Sequence, residues 1–155
     1  MTTTPPAATT YPGGLTRAQV VAWRNAMFVV FAICGIGMAS WVARVPAVRD
    51  MLGASTLEMG VLIFGIAAGS ILGLLASSHV IARIGARRTM ALCMTVAPVG
   101  FIIAGLAASF GPNFVLTFIG LAIFGAGASA CDVAMNVSGA ANERALRREI
   151  GRAHV

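Results

Sequence analysis

The 155-residue sequence contains no lysine and only five acidic residues. Charged side chains make up 10% of it, against about 25% in an average soluble domain. So few charges cannot cover a water-facing surface, which excludes an ordinary soluble globular enzyme. Histidine occurs only twice. There is no Ser/His/Asp grouping, no paired carboxylate within an apolar run and no Gly-Lys-Ser/Thr phosphate loop, so neither catalysis nor ATP-driven work nor a cofactor is expected. Cysteine is scarce as well. Cys34, Cys93 and Cys131 lie singly in apolar segments, without ligand spacing or a neighbouring histidine. They read as small buried hydrophobes, the scattered methionines read as apolar filler, and no metal site is expected.

The net charge is +6, and all eleven basic residues are arginine. They stand at the ends of apolar runs rather than in a basic stripe interleaved with aromatics, so nucleic-acid binding is not expected. What the sequence does have is apolar bulk: 58% hydrophobic residues and a mean hydropathy of +0.88. Its eighteen glycines and six prolines are dispersed through those apolar runs. This is the composition of a polytopic membrane protein, and the fold class expected is an all-α transmembrane bundle of four spans.

The spans fall at about 25–45, 57–78, 89–110 and 114–137, each long enough to cross a bilayer core. Residues 1–22 read as a disordered cytoplasmic tail and 143–155 as a second cytoplasmic tail. Trp23 and Trp41 stand near the ends of the first run, as interfacial aromatics do, and Pro46 is expected to stop that helix. Ser55 with Glu58 three residues on is a capping box that starts the second helix. Gly65, Gly69 and Gly73 recur every four residues along it, which places them on one face where another helix backbone can approach. Pro98 is expected to kink the third helix. Arg17 and Arg24, the loop arginines Arg83, Arg87 and Arg88, and the C-terminal Arg144, Arg147, Arg148 and Arg152 all fall on one side of a four-span topology. That side is then cytoplasmic, with both termini inside. Arg44 and Arg49 in the first linker run against the pattern.

Two further patterns bear on function. Phe31-Ala32-Ile33-Cys34-Gly35-Ile36-Gly37 aligns with Leu121-Ala122-Ile123-Phe124-Gly125-Ala126-Gly127 at an offset of 90 residues. Three spans per repeat would bring the second copy in from the opposite side, an inverted-topology repeat of the kind found in secondary transporters. Asp132 is the one acid inside a span, and Asn136 lies one turn further on the same helix face. Together they offer a carboxylate and an amide for substrate hydroxyls or for proton coupling; the alternative is an aspartate paired with an arginine or placed at the interface. Arg44 and Asn25 on the first helix are weaker candidates, and Arg44 can equally snorkel to the interface.

The stretch Ser78, then Ala82-Arg83-Ile84-Gly85-Ala86-Arg87-Arg88, resembles the helix 2–3 loop signature of the major facilitator superfamily. Arg83, Gly85, Arg87 and Arg88 match it, whereas its leading glycine and its aspartate are replaced. The segments ending Ala39-Ser40-Trp41-Val42-Ala43-Arg44-Val45-Pro46 and Asp132-Val133-Ala134-Met135-Asn136-Val137 are similar to a bacterial branch of that superfamily, distantly like its sugar permeases. The resemblance covers about residues 24–144. It implies helices 1–4 of an N-terminal half, a multi-pass bacterial inner-membrane protein, alternating-access transport of a small, sugar-like solute, and protons as the coupling ion. The family's arginine on helix four is absent, with Leu121 at about its place. A complete member has twelve spans, so the chain is expected to be a fragment. Glu149-Ile150-Gly151-Arg152-Ala153-His154-Val155 back-translates to GAG ATC GGA AGA GCA CAC GTC, a string that resembles a common sequencing adapter. Native coding sequence is therefore expected to end near Arg148. Two alternatives stay open: a complete four-span exporter acting as a dimer, and a non-transporting membrane scaffold.

Overall fold

The computed structural model describes residues 15–152, with side chains from 15 to 142 and at Arg144. Among them are four helices: α1 (Arg17–Leu52), α2 (Thr56–Ile84), α3 (Ala86–Ser109) and α4 (Phe114–Arg152). Each is long and apolar enough to cross a membrane. Phe28, Leu72, Leu75 and Val115 point outward and are 58% exposed or more, a surface that only lipid or further protein can cover. The chain is an all-α transmembrane bundle.

Local sequence sets most of the helix ends. Thr16 and Gln19 form a capping box at the start of α1, so residues 17–22 are helical rather than part of a disordered tail. The first fourteen residues lie outside the described part. Ser55 and Glu58 form the expected box at α2: the Ser55 backbone N–H donates to Glu58 Oε2 at 2.7 Å, and the Glu58 N–H donates to Ser55 Oγ at 3.2 Å. Pro46 does not stop α1. The helix runs through it to Gly53, whose left-handed backbone (φ 59°) turns the N–H onto the carbonyls of Arg49 and Asp50. A proline removes one helical hydrogen bond. Val48 and Leu52 beyond it pack on the apolar cluster at that end of the bundle, which holds the last turn in place.

The expected basic loop between the second and third spans shrinks to one residue. Gly85 (φ 82°) separates α2 from α3, so Arg83 sits in the last turn of α2 and Arg87 and Arg88 in the first turn of α3. The fourth helix is likewise longer than its apolar run and continues to Arg152.

α4 is the hub. α2 packs along it in parallel and α3 in antiparallel orientation, while α1 touches the others only lightly. The α2 contact is made by glycines: Gly65 lies against Phe118, Gly69 against Ala122 and Gly73 against Ala126. The α3 contact is also close, with Gly100 and Ala104 against Gly120 and Ala97 against Gly127. Gly125 meets Ile66, and Ser70 Oγ donates to the Gly125 carbonyl at 3.3 Å. α1 is antiparallel to α4 through Gly37 beside Phe124, a Trp23 Nε1 to Ser138 Oγ bond of 2.9 Å, and an Asn142 Nδ2 to Val20 carbonyl bond of 3.2 Å. The two segments that match at a 90-residue offset thus lie on antiparallel helices, the relation an inverted repeat requires.

Trp41 departs from the interfacial role expected of it. It is 6% exposed and joins Met59, Leu62, Ile66, Ala104 and Leu121 in the largest apolar cluster, at the end of the bundle where α1 turns into α2. Trp23, at the opposite end, is half-buried with its indole N–H satisfied by Ser138.

Candidate functional site

The face of α4 that receives α2 can be followed along the helix: Phe118, Ala122, Gly125, then at the same three- and four-residue spacing Ser129, Asp132 and Asn136. α2 covers the first half of this row through Gly65, Gly69 and Ser70. Asp132 and Asn136 fall beyond that cover and are exposed on the bundle surface. α1 lies on the other side of α4, and it makes less contact with α2 than any other pair of helices makes. The carboxylate and the amide therefore open toward the parting between α1 and α2.

Their depth follows from the α2–α4 register. Gly69 against Ala122 and Gly73 against Ala126 bring Asp132 level with His79, about 9 Å along the axis from the Gly85 turn.

The other candidates are not gathered with Asp132. The α1–α4 register set by Trp23–Ser138 and Gly37–Phe124 brings Asn25 level with Asn136. However, Asn25 is exposed on the side of α1 away from its packed row (Trp23, Met27, Val30, Cys34), and its Oδ1 accepts from Arg24 Nη2 at 3.4 Å. Arg44 is exposed in the opposite half of α1, about 22 Å from the level of Asp132 along the axis. Arg83, Arg87 and Arg88 are exposed around the Gly85 turn.

One constellation has no local signal in the sequence. Cys34 from α1, Cys93 from α3 and Cys131 from α4 meet in a single buried cluster, with Met90, Met94 and Met135 packed into it. A cavity of about 140 Å³ adjoins it, walled by all three cysteines, Met94, Phe101 and Phe124. The three thiols are free, and Cys34 and Cys131 belong to the same packed cluster. Among the described residues, no three histidine, cysteine or acidic side chains converge as a metal site. Mild oxidation of the folded protein is expected to couple Cys34 to Cys131 and lower the intact mass by about 2 Da. Peptide mapping checks this: Cys34→Ser and Cys131→Ser each prevent the coupling, and Cys93→Ser leaves it intact.

No protein-family model matches the chain. No solved structure matches it either. Among curated proteins it is similar to an uncharacterized MFS-type transporter of Yersinia pestis, with 31% identity over 121 residues. That alignment takes in 77% of this chain and 30% of the relative, so the chain spans less than a third of that protein's length. The chain is thus a membrane-spanning helical bundle whose sequence is similar to part of an MFS-type transporter.

Proposed function

We propose that the chain forms the first four spans of a major facilitator-type transporter, which moves a small, sugar-like solute by alternating access coupled to protons. In this reading both termini and the Gly85 turn face the cytoplasm of a bacterium, and the solute site lies between this bundle and helices that follow. The observation that carries it is the exposed Asp132–Asn136 pair on the face of α4 that meets α2, opening toward the parting between α1 and α2. A carboxylate within a membrane-long helix is costly unless it faces a hydrated pathway or a partner. The similarity to an MFS-type transporter and the antiparallel α1–α4 relation support the same reading. Asn136 one turn along supplies donor and acceptor groups suited to a hydroxylated solute.

The first test is to sequence the source DNA across the codons for Arg148 to Val155. A frame that continues into further apolar spans is the expected result. A genuine stop after Val155 would turn the reading toward a four-span exporter.

A further inference from the structure

At the end of the bundle that carries the Gly85 turn, α1 and α3 part and leave a cleft of about 780 Å³, with α4 as its back wall. Its depth is apolar: Ala26, Met27, Val30, Met90, Ala91 and Met94. Its polar groups are Gln19, Trp23 and Ser138 on two walls and Arg87, and no acidic side chain lines it among the described residues. Trp23 donates its indole N–H to Ser138, and Arg87 is the charged group among the described residues of the cleft. Arg87 and Arg88 stand in the first turn of α3, at the positive end of the helix dipole, where they oppose stability instead of adding to it. The position is explained if the arginine serves an anion. A lone cation above an apolar slot, at a membrane-facing helix end, matches an amphiphile with an anionic head and a hydrocarbon tail; it fits neither a sugar nor a free phosphate.

We propose that this cleft binds one anionic glycerophospholipid from the adjacent leaflet. Its phosphate lies on Arg87, and one acyl chain runs between α1 and α3 toward Val30 and Met94. The site is separate from Asp132 and holds whether or not the chain takes part in transport.

Trp23 lines the cleft and is a built-in reporter. The test uses the full chain carrying Trp41→Phe, in phosphatidylcholine vesicles with graded fractions of phosphatidylglycerol brominated on its acyl chains. Quenching of Trp23 is expected to half-saturate at about fivefold lower mole fraction than with brominated phosphatidylcholine, the factor one arginine contributes at a membrane surface. Arg87→Gln should erase that preference, and Ala91→Phe, which fills the slot, should remove saturable quenching altogether. Arg83→Gln should change neither, because Arg83 does not line the cleft. Equal quenching by the two lipids, or equal effects of Arg83→Gln and Arg87→Gln, overturns the proposal in favour of diffuse surface charge. Relief of quenching by inorganic phosphate alone overturns it in favour of a free-phosphate site. Should Trp41→Phe fail to fold, native mass spectrometry of the otherwise unaltered chain gives the same decision. One phosphatidylglycerol retained, and lost in Arg87→Gln, supports the site; no difference between the two proteins overturns it.

Discussion

Gly69→Leu is expected to leave no folded bundle. A Cβ at Gly69 would overlap the backbone carbonyl of Ala122, and one at Gly73 would overlap that of Ala126. Backbone cannot turn aside as a side chain can, so α2 and α4 must move apart along their whole contact. Between helices in lipid no hydrophobic effect compensates, because the tails are as apolar as the side chains, and close packing is what holds the pair. Gly69→Ala asks for the smallest separation and should cost about 1–3 kcal/mol, the usual range for overpacking. Gly73→Ala should cost a similar amount. The double variant should cost less than the two together, since one displacement relieves both overlaps. Gly35 and Gly105 supply the contrast: a Cβ at either meets nothing within 4 Å. Alanine there should be neutral or stabilise by about 0.4–1 kcal/mol through the unfolded chain. Equilibrium unfolding in mixed detergent micelles, followed by helical circular dichroism, separates the two pairs.

Asp132→Asn is expected to have the opposite profile, with the fold kept and, under the proposed function, coupled transport by the complete transporter lost. The substitution removes a charge from an apolar helix while preserving volume and hydrogen-bonding capacity, so the bundle should be at least as stable as before. If Asp132 carries the coupling proton, uptake driven by a pH gradient should fall about 100-fold or more, the order expected when a proton-transferring group is lost. Uptake of radiolabelled hexoses and pentoses into proteoliposomes holding the complete transporter to which these spans are proposed to belong, with an imposed gradient, is the measurement. Gradient-driven uptake that survives Asp132→Asn would remove the coupling role. Asn136→Ala should act differently, raising the solute concentration needed for half-maximal uptake more than it lowers the maximal rate.

Much of the fold is legible in the sequence because lipid imposes strong rules: twenty apolar residues make a span, and charge marks its ends. The helix boundaries are less so. Pro46 is a local stop signal worth one hydrogen bond, and the packing of Val48 and Leu52 on the Trp41 cluster outweighs it. Trp41 itself shows the same limit: its position near the end of an apolar run suits an interface, but the neighbours that bury it come from the other three helices. Asp132 stands out in the sequence because a charge in an apolar run is conspicuous. Its level in the bundle does not, because that depends on the register of α4 against α2. The cysteines mark the far end of this scale. They occupy three helices, and nothing near any one of them in the chain points to the other two. The glycine row on α2 is visible from its spacing, whereas its partner on α4 is built from Phe118, Ala122 and Ala126, which keep the same spacing but are residue types that do not stand out in an apolar run.

The light packing of α1 has a consequence for how the bundle comes apart. In its most apolar stretch 6% of residues are buried, against 28–39% for the other three helices. Opening free energy tracks such contact, so the molecule divides into two cooperative units rather than one. α2, α3 and α4, locked glycine to backbone, exchange their amide protons through global unfolding only. α1 is expected to detach first, giving up the Trp41 packing and its few bonds to α4, and Trp23 reports the event as its indole leaves Ser138.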